Sequence, residues 1–396
     1  MLRPFLKVLS VLVVILSLTN CGKMDDKRKL FTEIEKTRSE FAPDKRTALF
    51  DITVIDGSDA YVLSGETNMP KAAEALKAKL DSDNIVFEDN IQVLPSEKLN
   101  GKVQALINIS VANLRSEPKH SAELATQATL GTPVKVLKKE KEWYYIQTPD
   151  NYLSWVDHGG IELMDDQIMA HWKSTPKLIF TKTYGHSYEG LDRKQPVSDL
   201  VAGNILEIIE SGDGFYKVSY PDGRQAYVSM DEAEPYNTWL ENLKPNADSL
   251  IATSKTLMGV PYLWGGTSTK GMDCSGFTKT VYFLNGMVIP RDASQQVLTG
   301  KAVDSVANFE NLEKGDLLFF GRKANDTLPE KVVHVGIWMG NNEFIHASEM
   351  VRISSMDENA TNFDTFNRNR YLRTKRILKE KDVGLTSLLE TPLFKD

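Results

Sequence analysis

An internal repeat with a spacing of 72 residues constrains how the middle of this 396-residue chain can fold. Seven positions recur at that constant offset: Gly131, Trp143, Tyr144, Pro149, Asp150, Trp155 and Val156 correspond to Gly203, Phe215, Tyr216, Pro221, Asp222, Tyr227 and Val228. Around them, short strand-like runs are interrupted by dense turn residues, a pattern that is typical of small β-barrels. The repeat predicts two such barrels, at residues 105–165 and 166–240.

The segments that flank the repeat have different patterns. Residues 46–104 combine strand-like runs at 49–55, 61–65, 85–87 and 91–94 with a helix that begins at Pro70, so we expect a small α+β region there. Residues 246–381 combine helical patterns at 250–258 and 274–284 with strand-like runs from 317 onward, which indicates a larger α+β domain. Residues 382–396 are interpreted as a tail.

Composition excludes some classes of function. The net charge of −7 argues against nucleic acid as a partner, and 41% hydrophobic and 26% charged residues are ordinary for a globular protein. The histidines at 120, 158, 171 and 186 are scattered without ligand spacing, so no metal site is predicted. No phosphate loop or dinucleotide fingerprint is present, so no cofactor is predicted.

The N-terminus has the pattern of a secretion leader. Arg3 and Lys7 precede an apolar stretch at 8–18 that is too short to span a bilayer comfortably. The stretch ends at Asn20-Cys21, which resembles a bacterial lipoprotein processing site. We therefore expect a signal peptide at 1–20, an acylated Cys21 and a linker at 21–45. The protein would be exported and anchored to a membrane only through lipid, on the periplasmic side or at the cell surface; plain secretion is the alternative.

Cys274 is the only cysteine outside the leader, and two histidines, His334 and His346, follow it in the same segment. The histidines are separated by an even number of residues with a turn at 340–342 between them, so they can lie on the same side of a hairpin. These three residues are suited to nucleophilic catalysis, in which a thiol is paired with an imidazole base and a third group orients the base. The helix that begins at Cys274 and a nearby imidazolium would lower the pKa of the thiol. The alternative is an inert buried cysteine with structural histidines.

The motifs in residues 246–380 resemble the NlpC-type papain-like cysteine peptidases of bacterial cell walls. The matching runs are Pro261-Tyr262-Leu263-Trp264-Gly265-Gly266, Asp273-Cys274-Ser275-Gly276-Phe277, Pro290-Arg291-Asp292, Gly315-Asp316-Leu317, and His334-Val335-Gly336-Ile337 followed by His346. The resemblance implies a papain-like α+β domain in which helices pack on an antiparallel sheet. It also implies a catalytic triad of Cys274, His334 and His346, with Tyr262 supporting the oxyanion region.

The predicted barrels resemble bacterial SH3-like domains, in the opening run at 111–118 and in the closing runs at 152–156 and 225–228. The order of two such domains before the peptidase resembles a subgroup of γ-D-glutamyl-L-diamino acid endopeptidases of wall recycling. The resemblance implies that the substrates are peptidoglycan stem peptides with a free N-terminal L-Ala. Candidate partners for the substrate amine are Glu123, Tyr152 and Asp292, while Asp273, Ser275 and Ala293 would line the same cleft. Two other functions stay open: a broad hydrolase of polymeric wall, and a lipoprotein that binds wall peptides without cleaving them.

Overall fold

The computed structural model describes residues 26–58, 60–391 and 393–395. The chain divides into two compact units with a boundary after Lys98, and each is described by itself. The leader and Cys21 lie outside the described residues. Within the described part of the chain, no helix is both long and apolar enough to cross a membrane.

The first unit is a three-stranded sheet with helices packed on it. Its elements are α1 (26–41), β1 (Phe50–Asp56), β2 (Tyr61–Thr67), α2 (Pro70–Ser82) and β3 (Phe87–Val93). β1 and β2 form an antiparallel hairpin, and β3 pairs parallel to β2 after the crossover through α2. Pro70 occupies the first turn of α2, as predicted. The separate strands predicted at 85–87 and 91–94 are wrong, because a single strand runs from Phe87 to Val93.

The second unit begins with a seven-stranded antiparallel sheet, here called the first SH3-like sheet. Its strands are β4 (Gln104–Ile107), β5 (Val111–Arg115), β6 (Leu124–Thr129), β7 (Pro133–Glu140), β8 (Trp143–Gln147), β9 (Leu153–Asp157) and β10 (Ile161–Met164). The strand order is β10-β4-β7-β8-β9-β5-β6. Alternate residues such as Val134, Val136, Tyr144 and Ile146 are buried together in its core.

After α3 (Asp166–Ser174), the second SH3-like sheet repeats this arrangement. Its strands are β11 (Lys177–Phe180), β12 (Tyr184–Tyr188), β13 (Pro196–Val201), β14 (Ile205–Gly212), β15 (Phe215–Ser219), β16 (Gln225–Ser229) and β17 (Ala233–Pro235). The order β17-β11-β14-β15-β16-β12-β13 matches that of the first sheet strand for strand. The bulge between Val136 and Lys138 recurs between Ile208 and Glu210, at the offset of 72 residues. The repeat therefore encodes two copies of one topology.

The rest of the second unit packs helices against a six-stranded antiparallel sheet, as the predicted fold class requires. Its helices are α4 (Tyr236–Asn242), α5 (Ala247–Thr256), α6 (Cys274–Phe283), α7 (Ala293–Gln296) and α8 (Thr365–Asn369). The strands of the sheet are β21 (Lys301–Asp304), β22 (Leu317–Arg322), β23 (Lys331–Gly340), β24 (Glu343–Ser348), β25 (Met350–Ser355) and β26 (Tyr371–Arg376), in the order β21-β26-β22-β23-β24-β25. Two small ladders pair β18 (Thr267–Ser268) with β19 (Gly271–Met272), and β20 (Met287–Val288) with β27 (Thr386–Ser387).

The segment interpreted as a tail is packed into this unit. Strand β27 pairs with β20, and Phe394 is 1% exposed in a cluster with Tyr236 and Trp239. The C-terminal residues therefore help to fix α4 and the start of the peptidase region. The domain boundaries drawn from the sequence otherwise stay a prediction.

Candidate active site

Cys274 is the first residue of α6, and its position is fixed from both sides. The carboxylate of Asp273 caps the helix by accepting a hydrogen bond of 2.7 Å from the Gly276 amide. Helix α6 packs on β23, and the sulfur faces the backbone amides of Val335 and Ser275. Cys274 is 7% exposed, so most of its side chain is enclosed. It lies beside Val335, the residue that follows His334.

The two histidines are in contact across the β23–β24 hairpin. Nε2 of His334 lies 2.7 Å from Nδ1 of His346, and both rings are buried. Gly336 leaves room for this pair, because a Cβ there would lie 3.2 Å from the Cβ of His346 and 2.8 Å from the ring of Phe344. The turn between the strands uses Asn341 and Asn342 at positive φ, which asparagine tolerates better than most residues. The hairpin geometry predicted from the sequence is thus present.

The groups around His346 favour one pair of tautomers for the two rings. Nε2 of His346 lies 3.0 Å from Oγ of Ser354 and 3.9 Å from a carboxylate oxygen of Asp364. A proton on that nitrogen leaves Nδ1 bare to accept a hydrogen bond from Nε2–H of His334. Nδ1 of His334 is then unprotonated and can accept a proton. In this pair of tautomers the network leaves His334 with a nitrogen that can accept a proton.

The expectation of a lowered thiol pKa is wrong. Burial, with the carboxylate of Asp273, raises the pKa of the Cys274 thiol to about 12, although the amide of Val335 and the charge of Arg291 oppose this. Burial also holds the pKa of His334 well below its usual value, with His346 adding to the effect, and lowers that of His346 to about 4. Burial therefore disfavours an isolated charge on the thiol and on either imidazole.

The thiol and His334 are neighbours through Val335, whose backbone amide faces the sulfur. Among the described residues, no hydrogen bond joins the sulfur to His334 itself. Catalytic hydrogen bonds are frequently long before substrate binds, so the absence of this bond does not contradict a nucleophile–base pair. The amide of Cys274 stands in the first turn of α6, where backbone N–H groups lack partners within the helix.

Tyr262 lies beside this nucleophile. Burial raises the pKa of its phenol, and negative charge at Cys274 and Asp273 would raise it further, so the hydroxyl stays protonated. Its backbone amide donates to the carbonyl of Glu349 at 2.8 Å, which ties the loop to the end of β24. Within the described residues, the Tyr262 hydroxyl makes no hydrogen bond. It is therefore available as a donor to an oxyanion.

Asp273 and Ser275 are held in a buried network around Arg291, a residue that the sequence-based site does not include. Arg291 donates to both carboxylate oxygens of Asp273, at 3.1 and 2.6 Å, and to Oγ of Ser275 at 3.0 Å. Asp273 also accepts from the amides of Gly265 and Gly276. With so many donors, the Asp273 carboxylate holds the start of α6 and has little capacity left for a ligand. The run Pro290-Arg291-Asp292 is the signal that could have identified Arg291.

The first SH3-like sheet forms one wall of the cleft through polar contacts with the peptidase loops. The Trp264 indole donates to Glu123 at 2.7 Å, and the Tyr152 hydroxyl donates to Asp292 at 3.1 Å. Gln127 accepts from the amide of Thr267 at 3.0 Å. The sheet thus brings Glu123 and Tyr152 to the same cleft as Asp292. Trp264 and Gln127 are interface residues that sequence reasoning missed.

Asp292 and Ala293 stand where α7 begins. The Asp292 side chain and that of Gln295 cap the helix reciprocally, and Ala293, the first helical residue, is 7% exposed. Asp292 also lies 3.9 Å from Arg291. Contacts therefore join Tyr152 to Asp292, Asp273 to Ser275 and His334 to His346. The roles of these residues stay a prediction, and Cys21 lies outside the described residues.

Comparison with known proteins agrees with this geometry. The model of the NlpC/P60 family matches residues 259–370, and that of the bacterial SH3 domain matches residues 110–162. A γ-D-glutamyl-L-lysine dipeptidyl-peptidase of Bacillus cereus (strain ATCC 10987 / NRS 248) is 34% identical over 238 residues, which cover 58% of this chain and 69% of the relative. The chain belongs to the NlpC/P60 family.

A second relative and a solved structure extend the match. Dipeptidyl-peptidase 6 of Lysinibacillus sphaericus is 27% identical over 268 residues, which cover 65% of this chain and 93% of the relative. The crystal structure of an NlpC/P60 family protein from Bacillus cereus ATCC 10987 superposes with a TM-score of 0.58 at 28% identity, covering 69% of this chain and 99% of that one. The family resemblance and the fold class predicted from the motifs are confirmed.

Proposed function

We propose that this NlpC/P60 protein is a cysteine endopeptidase that cleaves the γ-D-glutamyl–L-diamino acid bond of stem peptides with a free N-terminal L-Ala. The observation that carries the proposal is the hydrogen bond between Tyr152 of the first SH3-like sheet and Asp292 of the peptidase region. It joins the SH3-like sheet to an acidic residue of the peptidase region, next to Arg291, which binds the helix cap of Cys274. The names of the relatives from Bacillus cereus and Lysinibacillus sphaericus support the same reaction.

The reaction begins with a proton transfer from the Cys274 thiol to Nδ1 of His334. The sulfur attacks the γ-carbonyl carbon of D-Glu, and the oxyanion is stabilised by the Cys274 amide and the Tyr262 hydroxyl. His346 accepts a hydrogen bond from the His334 imidazolium and stabilises it in the buried site. The imidazolium then protonates the leaving nitrogen, and the C–N bond breaks to leave a thioester on Cys274.

The second half of the reaction releases the dipeptide. The free diamino acid or its peptide departs, and a water molecule enters beside His334. His334 takes a proton from this water as its oxygen attacks the thioester carbon, and the C–S bond breaks. The sulfur recovers the proton, so the products are L-Ala-D-Glu with a new γ-carboxyl group, the amine and the original enzyme.

The acidic end of the cleft explains why the substrate amine must be free. Asp292 and Glu123 are carboxylates that can pair with an ammonium group, and the Tyr152 hydroxyl can accept from it. A stem peptide still attached to the glycan has an uncharged amide at this nitrogen and a bulky group beyond it. Such a peptide loses the charge pair and meets the wall of the first SH3-like sheet.

Acetylation of the substrate tests the proposal. Hydrolysis of L-Ala-γ-D-Glu-L-Lys and of its N-acetyl form is measured by mass spectrometry of the released dipeptide. The acetyl form should have a kcat/KM lower by about 100-fold, since losing a hydrogen-bonded charge pair costs on the order of 3 kcal/mol. In Tyr152→Phe, which keeps the ring, the difference between the two peptides should shrink. Equal turnover of both peptides by the unaltered enzyme would refute the amine requirement.

We also propose that the protein is exported and anchored through an acylated Cys21. The support is the leader pattern of Arg3, Lys7 and the apolar stretch at 8–18, followed by the cysteine. In cells, the unaltered chain should sediment with membranes, whereas Cys21→Ser should move to the soluble fraction because its acyl chains are lost. A Cys21→Ser variant that stays in the membrane fraction would contradict the lipid anchor.

A further inference from the structure

The segment at 364–370 borders the histidine side of the cleft. It starts at Asp364, whose carboxylate lies 3.9 Å from Nε2 of His346. It ends at Arg370, whose carbonyl accepts from the Gly321 amide at 2.8 Å. The residue after Arg370 is Tyr371, on β26. Tyr371 is paired with Phe320 on β22, and Phe320 is paired with His334 on β23. Arg370 therefore directly precedes the residue that is level with His334, with β22 between the two strands.

The guanidinium of Arg370 is held from two directions. Its Nε donates to Oδ1 of Asn367 at 2.9 Å, and Asn367 is itself bonded to Asp364 at 2.6 Å. Its central carbon stacks at 4.1 Å from the ring centroid of Phe366, which is 68% exposed. Among the described residues, the two terminal nitrogens of Arg370 have no hydrogen-bond partner. The side chain is held in place, and its two terminal nitrogens can bind a ligand.

The charged side chains differ between the two sides of the cleft. Asp292 and Glu123 lie on the side of the first SH3-like sheet, where Arg291 is paired with Asp273. Arg370 and Arg352 lie on the histidine side, where Asp364 stands near His346 and Glu349 is paired with Arg352. Arg352 is directly opposite His346 in the β24–β25 pairing, and one of its nitrogens bonds Glu349 at 3.1 Å. Burial lowers the pKa of Arg370 and Asp364 opposes this, but the intrinsic pKa of a guanidinium is so high that the group keeps its charge. A substrate with an ammonium at one end and a carboxylate at the other matches this division.

We propose that Arg370 binds the carboxylate of the amino acid that leaves, with Phe366 as the platform beside it. This inference rests on the proposed function and adds the group recognised on the leaving side of the scissile bond. In a tripeptide the α-carboxylate of the diamino acid is attached to the carbon that carries the scissile nitrogen. A guanidinium next to the residue that is level with His334 can reach it with two parallel hydrogen bonds. Arg370 would thus select peptides whose diamino acid has a free carboxylate.

The test compares L-Ala-γ-D-Glu-L-Lys with the same peptide amidated at lysine. The unaltered enzyme should favour the acid by about tenfold or more in kcat/KM, because hydrogen bonds to charged groups are among the strong ones. Arg370→Gln should reduce this preference to within about threefold. Arg373→Gln is the matched control: it lies on β26, three residues after Arg370, but is paired with Glu330, so it should keep the preference. Thermal unfolding of each variant verifies the fold.

A third peptide, amidated at the α-carboxylate of D-Glu, distinguishes the two carboxylates near the scissile bond. The effect of this amidation on kcat/KM should be the same in Arg370→Gln as in the unaltered enzyme. The inference is overturned if Arg370→Gln removes discrimination at D-Glu and not at lysine, or if the unaltered enzyme cleaves lysine acid and amide equally. An equal loss of kcat on both peptides with their ratio intact would make Arg370 a positioning residue instead. Failure of the unaltered enzyme to cleave any free peptide would refute the proposed function itself.

Discussion

Cys274→Ala is expected to abolish the hydrolysis of L-Ala-γ-D-Glu-L-Lys, with kcat falling by at least about 10⁴-fold. The thiol supplies the bond to the acyl group, and no other described side chain next to His334 can replace it. The measurement is single-turnover release of L-Ala-D-Glu, followed by mass spectrometry. In the unaltered enzyme, rapid quenching should also trap a dipeptidyl adduct on the peptide that contains Cys274.

The variant should keep its structure, because only the sulfur is removed and Asp273 still caps α6. Binding of the intact peptide to Cys274→Ala therefore serves as the control for a preserved cleft. Binding without turnover is the expected pair of results. If hydrolysis persisted in Cys274→Ala at more than about a hundredth of the original rate, Cys274 would not be the nucleophile. An adduct on any other residue would lead to the same conclusion.

Local sequence patterns were sufficient to predict several strands and the histidine hairpin. Repeated turn and aromatic positions 72 residues apart marked strands such as Trp143–Gln147 and Phe215–Ser219. The even spacing of His334 and His346 around an Asn-Asn turn marked the hairpin that joins their rings. Each of these features depends on neighbours in the chain or on the period of a strand, which a sequence displays.

Burial and long-range pairing were not visible in the same way. The helix start at Cys274 indicated a favourable dipole, but the sequence did not show that the thiol is enclosed, and burial reverses the direction of the pKa shift. The apolar residues near Phe394 have no periodic pattern, so their place in the core was missed. Arg291 depends on Asp273 and on Thr126 of the first SH3-like sheet, 165 positions earlier, and such contacts arise only from the tertiary fold.

Arg291→Met is expected to destabilise the region around α6 by about 3–5 kcal/mol, since it leaves a buried carboxylate without its partner. Burial works against the charge of Arg291, yet Asp273 more than offsets it and raises the pKa of the guanidinium. Its Nε also donates to Thr126 at 2.9 Å, so the substitution removes a link between the peptidase and the first SH3-like sheet. The measurement is hydrogen exchange of the α6 amides, from which the free energy of opening is obtained.

A double substitution separates the lost pair from lost packing. Arg291→Met combined with Asp273→Asn should recover much of the stability, because the asparagine is uncharged and its oxygen can still cap α6. Lys314→Met is the control on an exposed pair with Asp248, whose side chains are 52% and 84% exposed, and it should change stability by less than about 0.5 kcal/mol. If Arg291→Met lowered the free energy of opening as little as Lys314→Met does, the buried pair would not stabilise α6. If the double variant were no more stable than Arg291→Met, the penalty would come from packing around the guanidinium and not from an unpaired Asp273.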